Sequence, residues 1–375
     1  MTLNLNTIKF IDAGPKAFMS GYDTNISDTE ETGLNKCSTI SHSLLPLYLI
    51  PCLLFTLALF SIPSTAVSSV TGDCSNCHTM HYSQNGTQSS GWGGSGPYDA
   101  LLTNDCVGCH SSTTAVTIIN NTPIIYNTTS PTSILAGGNF YYAIADDSTG
   151  HNVSGIKAQD GTLGLTPPGG SAMSSQLTCA GEVGCHGDRS TGNNNIVGVT
   201  GAHHTDDSGG ITGSTVGLSY RFLNGITGKE DADWEQDNIN TSHNEYQGAT
   251  NFSTVSTISY LCGQCHGNSG SGGFHNSLGV GSASPWLRHP TDIVLKSTGE
   301  YADYTTYSMV APVARPDPDN VMNTATVTPG TDIVICISCH RSHASPYYKL
   351  LRWDFKGWPG NAATNGCNVC HTSKN

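Results

Sequence analysis

Charge is scarce in this chain. Only 11% of its 375 residues are Asp, Glu, Lys or Arg, and 15 basic residues stand against 28 acidic ones, a net of −13. No basic patch is present to grip a phosphate backbone, which excludes nucleic acid as a partner. Long apolar runs are absent too, except for one at 44–60, "LLPLYLIPCLLFTLALF". No membrane span is therefore expected in the chain beyond it. Methionine is rare, with four downstream of residue 66 (Met80, Met173, Met309 and Met322). Gly, Ser, Thr and Asn fill the sequence instead, and they favour turns and irregular backbone over long helices. Such a composition by itself reads as disorder. The 14 cysteines and 15 histidines, and where they stand, argue otherwise.

Cys-x-x-Cys-His occurs five times: Cys74, Cys77, His78; Cys106, Cys109, His110; Cys262, Cys265, His266; Cys336, Cys339, His340; and Cys367, Cys370, His371. This is the attachment signature of c-type haem. Two thiols add to the two vinyl groups of the porphyrin, and the adjacent histidine takes one axial position on the iron. Random order would give roughly 0.02 copies in a chain of this composition, so the recurrence is not accidental. Zinc knuckles do not need a histidine directly after every second cysteine.

A sixth site is less regular: "CAGEVGCH", with Cys179, Cys185 and His186. Its thiols are separated by five residues instead of two. The vinyls are a fixed distance apart, so the extra residues must bulge outward, and Gly181 and Gly184 suit such a loop because glycine tolerates positive φ. A plain disulfide is the alternative. The six sites use 12 of the 14 cysteines, and the other two, Cys37 and Cys52, lie upstream of an expected cleavage point.

That point follows the apolar run, where Ser64 and Ala66 supply the small residues a signal peptidase requires. The expected organisation is an N-terminal extension at 1–43, a signal peptide at 44–66 and a haem-bearing domain at 67–375. The extension is long and acidic for a signal n-region, which points to a start site further downstream. As an uncleaved anchor, 17 residues containing Pro46 and Pro51 make a poor span. Thioether attachment of haem takes place outside the cytoplasmic membrane, so an export signal and the motifs require each other. The protein is expected outside the cell or on its surface, with the periplasm as the alternative.

Each iron needs a ligand on its other face. Removing the six motif histidines leaves eight downstream of residue 66: His81, His151, His203, His204, His243, His275, His289 and His343. Four methionines are too few for six irons. Bis-histidine ligation is expected, with two histidines in surplus. His81 follows His78 by three residues, and His343 follows His340 likewise. At that spacing the second imidazole points the same general way as the first. It cannot cross the ring to the far face of the same iron, so it should serve a different one. His275, His289 (before Pro290) and His151 (in "GHNV") are further candidates, with at least one of the neighbours His203 and His204. His243 has the weakest context.

The motifs begin at 74, 106, 179, 262, 336 and 367, with close pairs at both ends and long loops between. The expected fold is a single multihaem cytochrome domain, mostly irregular coil with short helices on the motifs and a few short strands. Strands are predicted at 115–126 and 333–337. The porphyrins should form the core, with polypeptide as a thin wrapping. The sequons at Asn127, Asn152 and Asn251 reflect composition. The "RPDPDN" stretch at 315–320 reads as a solvated loop before a calcium site.

The segments "CHTMH", "GHNV", "LRHP", "CISCHRSHAS" and "CNVCH" resemble the exported hexahaem cytochromes of metal-reducing bacteria, including the outer-surface type that polymerises into conductive filaments. The resemblance implies bis-histidine haems packed in alternating parallel and T-shaped pairs. It also implies that one histidine, here His81, ligates a haem of the next subunit. The step from Cys179 to Cys185 departs from that type's regular spacing. Little chain covers either terminal motif, and bare apolar rings seek a partner. A head-to-tail contact between unlike ends gives an open filament. The function expected is electron conduction through six covalent haem c groups, in extracellular electron transfer. The partners are other copies of the chain, other redox proteins and extracellular acceptors. A monomeric periplasmic shuttle is the alternative. A reductase would need an iron with an open face.

Overall fold

A computed structural model describes residues 106–192, 195–200, 203, 211–251, 253–267, 289–318, 324–358, 360 and 363–374, with the backbone of 83–84 and 87–88. The chain divides into Met1–Ile62 and Pro63–Asn375, and every described residue lies in the second unit. Among the described residues no helix is long and apolar enough to cross a membrane.

Regular structure is brief. Each strand has two or three residues and pairs with one other. The longest helix described, Ile258–His266, has nine residues. It starts where the Thr257 hydroxyl accepts the Tyr260 N–H at 3.2 Å and stops at Gly267, whose φ of 78° only glycine adopts freely. Most of the backbone is turn and coil, as the Gly/Ser/Thr/Asn content dictates.

The two strand predictions come out shorter than expected. In 115–126, Ile118–Ile119 pairs with Thr122–Pro123 as an antiparallel hairpin. Its corner is Asn120–Asn121 with φ of 50° and 58°, the two positive values a two-residue hairpin turn requires. Tyr126–Asn127 then runs parallel to Ser111–Ser112, beside the second motif. In 333–337 only Ile333–Val334 is strand, pairing with Ile293–Val294. The Ser338 hydroxyl accepts the Ile335 N–H at 3.0 Å, and the chain turns into the helix Cys336–Cys339.

Side chains also pack into clusters of their own beside the motifs. One cluster gathers Tyr304, Tyr307, Met309, Val313, Trp353 and Val369 against Cys339, Cys367 and Cys370. A second gathers Tyr220, Ile226, Tyr246, Ile258, Ile333 and Ile335 against Cys262. The last three motifs thus sit on packed side chains, and burial of aromatic and branched residues supplies the stability there. Arg315 also departs from the solvated-loop reading. It is 3% exposed, bonds Glu245 Oε2 at 3.2 Å and pairs with Asp332, while its Nη2 donates to the Thr326 carbonyl at 2.6 Å.

Candidate haem-binding sites

Each regular motif with described coordinates occupies one helical turn: Val107–His110, the end of Ile258–His266, Cys336–Cys339 and Gly366–Cys370. The turn closes when the histidine N–H donates to the carbonyl of the first cysteine, at 3.0 Å in the second motif, 3.1 Å in the fifth and 2.8 Å in the last. Such a turn brings two cysteines and a histidine to one short stretch. Among the described residues, none of the ten motif cysteines is joined in a disulfide.

The irregular third site reaches a comparable grouping by another route. Thr178–Ala180 and Gly184–His186 lie side by side as a parallel pair, with Ala180 opposite His186. Gly181 turns the chain back with φ of 89°, and its carbonyl accepts the Gly184 N–H at 2.9 Å. A Cβ on Gly184 would stand 2.5 Å from the Ala180 backbone, so that position must be bare. The extra residues form the bulge that the wide spacing demanded.

Each described motif histidine has its Nδ1 committed. The acceptors are the carbonyls of Pro123 for His110 (2.9 Å), Arg221 for His186 (2.8 Å), Pro168 for His266 (2.9 Å) and Lys349 for His340 (2.7 Å). His371 instead meets the Glu300 carboxylate, at 3.1 Å. With Nδ1–H donating, the tautomer is fixed and Nε2 keeps its lone pair for a metal.

Four of these rings face a second histidine. Centre-to-centre distances are 6.0 Å for His110 and His203, 6.2 Å for His186 and His343, 6.0 Å for His266 and His151, and 6.3 Å for His371 and His289. A histidine nitrogen binds a metal at about 2.0 Å and lies about 1.1 Å from its ring centre, so two imidazoles on opposite faces of one iron have centres about 6.2 Å apart. The donor set and its spacing fit a haem iron between each pair.

The partner histidines are held by the folding of distant segments. His343 N–H donates to the Gly137 carbonyl at 2.7 Å, and Arg341 Nη1 donates to the Leu135 carbonyl at 2.7 Å. His151 joins the same assembly, its N–H on the His343 carbonyl at 3.0 Å and its Nδ1 on the Ser342 carbonyl at 2.8 Å. Phe140 stacks on the His343 ring at 4.9 Å. "CHRSH" is therefore anchored between its two histidines, and His343 stands opposite the third motif, not its own. Burial, with His186 nearby, pulls the His343 imidazole down to about 3, and burial with His266 nearby pulls His151 to about 4.

Sulfurs of successive motifs are neighbours. Cys185, exposed at the surface, interacts with Cys265 of the fourth motif, which raises its thiol above the usual range. Cys262 is raised by a hydrogen bond to Cys336 and by burial. Burial pushes Cys339 up to about 12, with Cys370 and Cys367 adding.

His243 stands apart. It is 1% exposed, stacks on Tyr307 at 3.5 Å and 8°, and has Nδ1 on the Asn244 carbonyl and Nε2 on that of Thr324. Met309 lies in the packed core. Asn127 is fully buried, its amide donating to the Thr114 and Val116 carbonyls, so its sequon is no surface site. Cys74, Cys77, His78, His81, His204 and His275 lie outside the described residues, as do the extension and the signal peptide. Glu300 and Phe140 carry no sequence signal for their roles, since neither lies near a motif in the chain.

A family model described as the doubled CXXCH motif matches residues 328–375, so the fifth and sixth motifs form one doubled unit. No curated protein matches the chain. Among solved structures, the chain is similar to the Outer Membrane Cytochrome S filament from Geobacter sulfurreducens, at 19% identity and a TM-score of 0.46, covering 80% of this chain and 98% of that one. It is also similar to the OmcS nanowires from Geobacter sulfurreducens, at 19% identity and a TM-score of 0.41, covering 83% and 99%.

Proposed function

We propose that the protein is an exported multihaem c-type cytochrome that carries electrons along six bis-histidine haems. The observation that carries this reading is the set of four ring pairs at 6.0–6.3 Å, each joining a motif histidine to one from a distant segment. When bound, haem supplies a one-electron couple at its iron, and the chain's part is to fix ligands, spacing and exposure. The assignments are His110 with His203, His186 with His343, His266 with His151, and His371 with His289. His243 is one of the two surplus histidines, since its ring is buried and stacked on Tyr307 with no second histidine against it among the described residues. His81, His204 and His275 then remain for the irons of His78 and His340.

Conduction needs the haems close together. Cysteines of the third and fourth, fourth and fifth, and fifth and sixth motifs interact with one another, which supports haems held close along that run. His343 adds a link of another kind, because its chain bears the fifth motif and its ring faces the third. A second imidazole on an iron closes the face that a reductase would need, which favours electron transfer over catalysis.

The resemblance extends this to polymerisation, with His81 ligating an iron of the next copy outside the cell. The test is electron cryo-microscopy of protein purified from its host. Filaments with six haems per subunit and His81 on a neighbouring subunit's iron are the expected result. A monomer in solution, with every iron already six-coordinate, leaves the shuttle reading in its place.

A further inference from the structure

Of the five motif histidines described, four give their Nδ1–H to a peptide carbonyl and one, His371, gives it to a carboxylate, Glu300 Oε1 at 3.1 Å. The contact is built into the fold. Glu300 lies on the short turn Gly299–Asp303, and the residues after the motif fasten to it. Ser373 Oγ donates to Glu300 Oε2 at 3.0 Å, and Thr372 Oγ1 donates to the Glu300 carbonyl at 2.5 Å. Tyr301 sets its ring edge-on to His371 at 5.1 Å. The two partners are sheltered, with side-chain exposures of 26% for His371 and 16% for Glu300.

We infer that Glu300 is a positioning residue for His371 and holds the haem of the sixth motif at a lower potential than a carbonyl partner would give. The inference rests on the reading that His371 binds haem iron. A charged acceptor draws the Nδ1 proton more strongly than a neutral carbonyl does. The imidazole becomes a more basic donor at Nε2, as carboxylate–histidine pairs do for bound metals generally. Ferric iron, one positive charge richer than ferrous, gains more from that donation and from the nearby negative charge, so reduction becomes harder. Ser373 moderates the effect, because its hydroxyl takes up part of the carboxylate's charge.

The test uses the haem-loaded protein with Glu300→Gln and, separately, Ser373→Ala. Glutamine keeps a neutral oxygen near Nδ1 and removes the charge. Spectroelectrochemical titration should move one redox wave to higher potential in E300Q and leave the others in place. Low-temperature EPR of the oxidised protein should show one low-spin species altered. S373A, which leaves the carboxylate in place and carries the test should E300Q fold poorly, should move the same wave downward. Unmoved waves in either correctly loaded variant overturn the inference. Intact mass lacking haem at Cys367 and Cys370 in the parent protein overturns the underlying site reading instead, so the two failures are distinguishable.

Discussion

His186 and His343 stand ring to ring at 6.2 Å, although His343 follows the fifth motif and His186 closes the third. The pair shows how this chain uses a Cys-His-x-x-His unit. In the proposed ligation the first imidazole belongs to the local haem, and the second reaches across to another. On that proposal, a single short segment would fix the separation of two irons.

Replacing His343 with alanine should open one iron without freeing a haem. The affected site is the one at Cys179 and Cys185, while the haem at Cys336 and Cys339 keeps its own coordination. Resonance Raman or EPR should show one high-spin haem and an unchanged haem count by mass. A high-spin signal traced to the fifth site instead would contradict the pairing.

Gly184→Ala strikes the third site differently. Its Cβ would press on the Ala180 backbone at 2.5 Å, so the five-residue loop could not close. Overpacking of this kind costs about 1–3 kcal/mol locally. Intact mass should fall by one haem, with Cys179 or Cys185 left alkylatable.

Arg315 holds two buried carboxylates, Glu245 and Asp332. Arg315→Met strands both, and breaking such a buried pair costs about 3–5 kcal/mol. Denaturant midpoints should drop accordingly. Arg315→Met combined with Glu245→Gln and Asp332→Asn should recover much of the loss.

Acid should weaken the fold through the partner histidines. His343 and His151 are held at about 3 and about 4, chiefly by burial, against 6.5 for a free imidazole. Below pH 6.5 the unfolded chain takes up protons that the folded chain refuses, so stability falls with pH until the folded values are reached. Iron ligation acts in the same direction, since a proton on Nε2 displaces the metal. Unfolding midpoints should be flat above pH 7 and decline from about pH 6.5 towards 4. Constant midpoints across that window would show these rings to be as protonatable in the fold as in water.

The helical turns at the regular motifs were legible because two cysteines and a histidine recur there at one fixed short spacing. The tight loop between Cys179 and Cys185 was also readable, since Gly181 and Gly184 announce it. The pairing of distal histidines was not. His203, His151, His289 and His343 come to their partners through coil held by peptide carbonyls, and no local pattern encodes which carbonyl meets which N–H. His243 had the weakest context in the sequence, and its burial against Tyr307 sets it apart in the structure. The buried Arg315 was hidden by a proline- and aspartate-rich context that ordinarily means solvent. The polypeptide core around Tyr304, Tyr307 and Trp353 was missed for a related reason. Its residues are scattered among turns, so no periodicity marks them.

The most direct test of the account is the haem content and coordination of the protein purified from its host. Intact mass should show six haems added to the exported chain, and EPR of the oxidised protein should show only low-spin iron with two imidazoles. Fewer than five haems, or spectra dominated by five-coordinate iron, would contradict it.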